Sequence, residues 1–421
     1  MRTFFAAVLG LLEGTQMGEV QLVGKTANTP ERAIGEAPNQ AVQVGGVVVA
    51  RAGGGDYKPW MPRIWSGITL GPWLRLLARN RFRIAPHRLP MALIITTLAA
   101  LVNSPSSWVQ RLIYGRRIAR TKIDPHPIFV VGHWRTGTTF LHELLVADPR
   151  HASPTSYQCF APGHFLVSRS WLGKVAEILA PRHRPQDDMP FSLDNPQEDE
   201  FALCNLGIPS PYWTMAFPNH PPQCQQYIDM EGLTSAQLER WKRGLYGFLQ
   251  AVTFATGKRL VLKSPAHLGR IRVLVELFPK AKFVHIYREP LTVFASTMNL
   301  WRRFYRDQGL QRPSYEGLED YVLETFNRLY RAFERDRLLL APNQLAEVRF
   351  ETLVANPIGE MERIYRELDL GPFDLARPAV EKLLEGRKDY KPNRFSVAEE
   401  TRRKVRESWG WFAVKYGYPE P

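Results

Sequence analysis

Eight consecutive residues, Gly132-His133-Trp134-Arg135-Thr136-Gly137-Thr138-Thr139, bring together two glycines, a cation and three hydroxyls between an apolar run and a helical pattern. Backbone N–H groups at such a strand-to-helix turn, helped by the positive end of the helix, are suited to hold an anion. The segment aligns with the nucleotide-phosphate pattern G-x-x-x-x-G-K-[ST] at Gly132, Gly137 and Thr139. Thr138 stands where that pattern requires lysine, and the nearest cation is Arg135. The turn is therefore shaped for phosphate but lacks the contact that ATP or GTP turnover needs. A glycine turn without a ligand is the bland alternative, and the flanking strand, arginine and amphipathic helix weigh against it.

The elements that must position this turn are legible on either side of it. Ile128-Phe129-Val130-Val131 reads as a buried strand, and Phe140, Leu141, Leu144 and Leu145 share one face of the helix that follows. Further strands are expected at 260–262, 283–287 and 347–350. Helical stretches at 241–256, 268–277, 291–301 and 318–340 separate them. This alternation predicts an α/β fold, a central parallel sheet flanked by helices in the manner of P-loop nucleotide-binding domains. Residues 121–421 are assigned to that domain, 56–120 to an N-terminal helical region, and 1–55, which ends in Gly53-Gly54-Gly55, to a poorly ordered leader.

Composition narrows the partners. The chain has 421 residues, is 44% hydrophobic and carries a net charge of +14, which favours an anionic ligand or surface. No zinc-finger spacing or RNA-binding aromatic motif is present, so nucleic acid is not expected. Three widely spaced cysteines, Cys159, Cys204 and Cys224, form neither a disulfide framework nor a metal cluster. They read as core residues in a reducing, cytoplasmic compartment. Residues 2–12 resemble a short signal core, but no cleavage site follows, so an unstructured start is preferred. The apolar segment 90–102 is too short to span a bilayer and reads as a buried helix. The Trp- and Arg-rich stretch 60–120 is read as a packed helical layer. Its alternative is a peripheral membrane contact made through the same Trp and Arg side chains.

Arg135-Thr136-Gly137-Thr138-Thr139 matches at every position the loop [KR]-[ST]-G-T-T, and with it the sequence resembles the sulfotransferase superfamily. The bacterial group is the nearest in kind, and the tyrosylprotein enzymes are more distant. The resemblance implies that this loop holds the 5′-phosphosulfate of 3′-phosphoadenosine 5′-phosphosulfate (PAPS). It also implies that Arg288, at a strand end, and Ser296, eight residues on, bind the 3′-phosphate. In physical terms a cation and a helix-borne hydroxyl converge on one phosphate. Leu262-Lys263-Ser264-Pro265 resembles the stretch that supplies a transition-state lysine, and Val348-Arg349-Phe350-Glu351 resembles a family strand with phenylalanine in place of tyrosine. Arg394, in Tyr390-Lys391-Pro392-Asn393-Arg394, is carried over as a further contact to the 3′-phosphate.

Sulfuryl transfer resembles phosphoryl transfer, with charge spread over equatorial oxygens and the nucleophile in line with the leaving group. Arg135, the loop N–H groups and Lys263 supply the neutralising charge, so no metal requirement is expected. The acceptor hydroxyl needs a base, and Glu198, Asp199 and Glu200 form the richest candidate cluster, with His133 as runner-up. The structural alternative for the cluster is a capping box opening at Asn195, with Pro196 at N1 and Glu198 at N3. In the tyrosylprotein enzymes the base follows the first helix, where this chain has Gln158, which cannot take a proton. Trp134 is left between adenine stacking and the core. The acceptor is expected to be a small-molecule, lipid or glycan hydroxyl, with an apolar acceptor suited by the stretch Gly207–Trp213; the oligomeric state stays open. A P-loop kinase and a non-catalytic, membrane-associated nucleotide binder are the competing readings.

Overall fold

A computed structural model describes residues 61–179, 191–386 and 395–421, together with strands β1 (Val42–Val44) and β2 (Val47–Val49). In chain order the other strands are β3 (Ile128–Val131), β4 (His151–Ala152), β5 (Arg259–Lys263), β6 (Lys282–Tyr287), β7 (Leu345–Arg349) and β8 (Phe395–Val397). The helices used below are α1 (Leu70–Arg79), α2 (Leu89–Leu98), α3 (Ser104–Arg120), α4 (Thr138–Val146), α5 (Asp199–Asn205), α6 (Ser235–Thr256), α7 (Pro290–Gln308), α8 (Leu318–Asp336) and α9 (Glu399–Tyr416).

Strands β4-β5-β3-β6-β7 form one parallel sheet in that order. All four residues of β3 are buried, because helices cover both faces of its sheet and leave no side of the strand to water. The chain leaves β3 towards β4 and β5 on one side, then crosses to β6 and β7 on the other. Such a reversal opens a crevice at the carboxyl ends of the central strands, where ligands of open α/β sheets bind. In register, Val130 lies beside Lys263 on one flank and Val131 beside His285 on the other. The ends of β3, β5 and β6 are thereby brought to one edge.

A second, antiparallel sheet runs β1-β2-β8. Two of its strands, β1 and β2, come from the stretch expected to be a leader, so among the described residues regular structure is present before residue 55. The apolar run 90–102 also differs from expectation. It belongs to one continuous helical rod, Pro86–Arg120, formed by α2, a π-turn at Ala99–Asn103 and α3. Met91, Ala92, Ile95 and Ala99 are buried, whereas Leu93, Ile94 and Leu101 face solvent. Cys159, Cys204 and Cys224 are free and buried, as their scatter in the sequence implied.

Candidate active site

The turn after β3 is held by close packing. A Cβ on Gly132 would sit 2.5 Å from the Ile286 carbonyl oxygen and 2.8 Å from Thr136 Oγ1, so the approach of β6 requires glycine there. Gly137 opens α4 with φ of 99°, and a Cβ on it would meet the Phe350 ring at 2.3 Å. Arg135 also has a positive φ, 67°. A non-glycine residue in that region costs of order 1–3 kcal/mol and persists only where its surroundings enforce it. The enforcing contacts are specific. Arg135 Nε donates to Ser296 Oγ at 2.8 Å, and Arg288 Nη1 donates to the Arg135 carbonyl at 3.3 Å.

Two more loop carbonyls are likewise bound. Thr136 Oγ1 donates to the His133 carbonyl at 2.7 Å, and Thr297 Oγ1 to that of Trp134 at 3.3 Å. Satisfying these dipoles removes negative ends that would oppose an anion. Arg288 is steadied by Phe350, whose ring lies 4.2 Å from its guanidinium carbon. Phe350 therefore serves both as a platform for Arg288 and as a wall for Gly137, a role the sequence did not reveal. Glu289 turns away to cap α7, accepting from Leu291 N and Thr292 N at 2.8 and 2.7 Å. Arg135, Arg288, Ser296 and the start of α4 (Thr138 and the half-buried Thr139) thus gather at one place. A cationic, hydroxyl-lined cradle at a helix N-terminus fits a phosphate-bearing ligand. Arg394 lies outside the described residues.

The three neighbouring carboxylates have separate fates. The helix begins at Asp199 with Glu198 as its N-cap, and Glu198 makes no side-chain cap, so the alternative of a capping box opening at Asn195 with Glu198 at N3 does not hold. Glu198 Oε1 instead accepts from Lys263 Nζ at 2.8 Å, and its Oε2 accepts from Tyr212 Oη at 2.6 Å. Asp199 pairs with His267 Nε2 at 2.7 Å with both side chains fully buried. Glu200 takes Arg270 through both oxygens and Ser210 Oγ through one, again without exposure. Only Glu198 keeps some access to solvent, at 15% of its side chain, beside a lysine that is 4% exposed. Asp199 and Glu200 are thus fully buried and held by His267 on one side and by Arg270 and Ser210 on the other.

Tyr212 was not singled out by the sequence. It sits in a 3-10 turn, Pro211–Met215, and its hydroxyl accepts from Trp134 Nε1 at 2.9 Å while donating to Glu198. Burial foremost, and then the Glu198 charge, hold its phenol well above the usual range, so it stays a donor. A chain Trp134–Tyr212–Glu198–Lys263 therefore connects the loop to the end of β5. Trp134 is a core residue, 2% exposed and edge-on to Trp301. The Gly207–Trp213 stretch, whose composition suited an apolar ligand, is largely buried as well.

His133 is sequestered in the core. Its ring is fully buried among Trp134, Phe326 and Trp409, and Nδ1 donates to the Trp134 carbonyl at 3.0 Å. Burial pushes its pKa down to about 3, which removes it from service as a base near neutrality. The unfolded chain, with an ordinary imidazole near 6.5, binds a proton that the folded chain refuses. Stability present above that value is therefore lost as pH falls through the window down to about 3. Denaturant unfolding across this range should show a slope shallower by about 1.4 kcal/mol per pH unit in His133→Gln. Equal slopes would place the proton uptake elsewhere.

Comparison with known proteins identifies the family. The sulfotransferase family profile matches residues 127–374. The omega-hydroxy-beta-dihydromenaquinone-9 sulfotransferase Stf3 of Mycobacterium tuberculosis is 45% identical over 369 residues, 87% of this chain and 95% of that one, and the Mycobacterium bovis protein of the same name matches equally. Among solved structures, the sulfotransferase STF9 of Mycobacterium avium aligns with a TM-score of 0.61 at 18% identity, covering 84% of this chain and 97% of that one. STF1 of Mycobacterium tuberculosis aligns with a TM-score of 0.54 at 23% identity, covering 75% and 85%. At these identities the two structures speak to the fold alone.

Proposed function

This chain belongs to the sulfotransferase family, whose general reaction is PAPS-dependent sulfuryl transfer, and we propose that it sulfates the hydroxyl of a membrane-lipid acceptor. The kinase and adaptor readings give way to that membership. PAPS, when bound, supplies the sulfuryl group and a phosphate leaving group. In this reading Arg135 and the N–H groups of the 135–139 turn hold the 5′ end, and Arg288 with Ser296 holds the 3′-phosphate. Lys263 neutralises charge on the departing phosphate oxygen. Its ammonium has three protons, so one can stay on Glu198 while others serve the ligand. Glu198, oriented through Oε2 by Tyr212, takes the proton from the acceptor hydroxyl. The observation that carries the reading is the sheltered Lys263–Glu198 pair at 2.8 Å, one strand away from the loop.

Two things support a lipid acceptor. The 45% identical relative is named for a hydroxylated dihydromenaquinone, and this chain covers 95% of it. The rod Pro86–Arg120 also exposes large apolar side chains. An assay with labelled donor against a hydroxylated menaquinone, long-chain alcohols, phenols and sugars tests this. Transfer to the isoprenoid lipid is expected, and a preference for short sugars would overturn it.

A further inference from the structure

Between Tyr57 and Ile123 the chain carries twelve Lys and Arg residues and not one Asp or Glu. The charge is arranged in two groups. Arg75, Arg79, Arg81 and Arg83 are exposed before the long rod, and Arg111, Arg116, Arg117 and Arg120 are exposed at its end. No charged residue lies from Leu89 to Gln110. Within that uncharged middle Leu93 is 68%, Leu101 62% and Trp108 65% exposed. With Leu89 and Leu112 they recur at three-to-four-residue multiples and form one stripe along the rod, roughly 35 Å long at helical rise.

The opposite face is fastened to the protein over the same length. Trp73 Nε1 donates to Thr96 Oγ1 at 2.8 Å, and Asn103 Nδ2 donates to the Ser66 and Ile68 carbonyls at 2.8 and 2.9 Å. Gln110 Oε1 accepts from Leu166 N at 2.8 Å, and Gln250 Nε2 donates to the Ala119 carbonyl at 3.1 Å. A rod fastened from end to end cannot thread a bilayer while folded, although its length and hydropathy would suffice. It can lie in the plane of an interface, apolar side down.

We infer that this stripe seats the enzyme on an anionic membrane surface. Leu93, Leu101 and Trp108 enter the boundary between headgroups and acyl chains, and the arginines at both ends meet acidic headgroups. Charge selects this occupant, since an acid-free stretch of this length is of no use to a neutral apolar partner. The segment that anchors the rod also supports the site: Asn205 of α5, the helix that begins just after Glu198, donates to the Ile64 carbonyl at 2.9 Å. Docking therefore fixes the base relative to the membrane. The inference deepens the lipid-acceptor reading and rests on it only for the purpose that docking serves.

Flotation of the full chain with phosphatidylglycerol vesicles tests it. Binding is expected, weaker to phosphatidylcholine and weaker in high salt, and lowered on the order of 100-fold in Leu101→Glu/Trp108→Glu. That variant should keep its affinity for adenosine 3′,5′-bisphosphate, which shows that it is folded. No binding by the parent protein, equal binding by the variant, or a parent dimer that the variant dissolves into monomers would overturn the inference. Vesicle binding without transfer to any lipid would uphold it and remove the acceptor reading instead.

Discussion

Replacing Lys263 by alanine is expected to lower kcat by ~100- to 1000-fold, the loss seen when a preorganised donor to a developing charge is removed. Lys263 ends β5 beside Val130, two residues before the phosphate turn begins, and is 3% exposed. A cation held there, with its stem buried, needs no reorganisation as charge appears on the leaving oxygen. Affinity for adenosine 3′,5′-bisphosphate should change far less, because the proposed reading gives the other end of the ligand to Arg288 and Ser296. The substitution also strips Glu198 of its ion-pair partner, at a cost of up to about 3 kcal/mol in stability. Melting temperature measured beside kcat separates the effects: at temperatures where the variant is fully folded, turnover stays low. Turnover within about fivefold of the parent in Lys263→Ala would remove the lysine from the mechanism.

Glu198→Gln is expected to cost ~100- to 10,000-fold in kcat, the range for loss of a positioned general base. The amide has a single acceptor oxygen, which can keep the contact to Lys263 or to Tyr212 but not both, and it cannot accept the proton. Its neighbours provide the contrast. Glu200→Gln leaves Arg270 without its counter-charge, 5.0 Å above the Trp241 ring in a fully buried pocket. It should lower stability by about 3–5 kcal/mol while folded molecules keep their turnover. Asp199→Asn, which strips His267 of its buried partner, should behave alike. Rates and melting temperatures measured on the three variants decide the matter. If Glu200→Gln abolishes turnover in folded protein and Glu198→Gln does not, the base is Glu200.

The pattern of success in reading the sequence has physical causes. Strands β3, β5 and β6 are apolar on both faces, so they appear as continuous hydrophobic runs, and they form where expected. β4 has two residues and carries no periodicity to detect. β1 and β2 come from a valine-rich stretch whose pairing partner, β8, lies some 350 residues away in the chain. Local reasoning does not reach that far.

The phosphate turn is legible because glycine and threonine spacing records backbone constraints that the fold imposes locally. Which of three adjacent acids faces the reaction is not legible. Successive helical residues differ by about 100° in direction, so the answer depends on where α5 starts and on what lies across from it, namely Lys263, His267 and Arg270. Tyr212 lacks any local mark for the same reason. Exposure of Leu93, Leu101 and Trp108 is another global property, since composition alone reads the same for a helix buried in the core.

In the proposed reading one anion pocket is assembled from the turn at Arg135 and the strand end at Arg288. Calorimetric titration with adenosine 3′,5′-bisphosphate tests it most directly, on the intact protein and on Arg135→Ala and Arg288→Ala separately. Single-site binding by the intact chain is expected, weakened on the order of 10- to 100-fold by either substitution through loss of a charge-assisted contact to phosphate. No binding by the intact chain, or variants that bind as tightly as the parent, would contradict it.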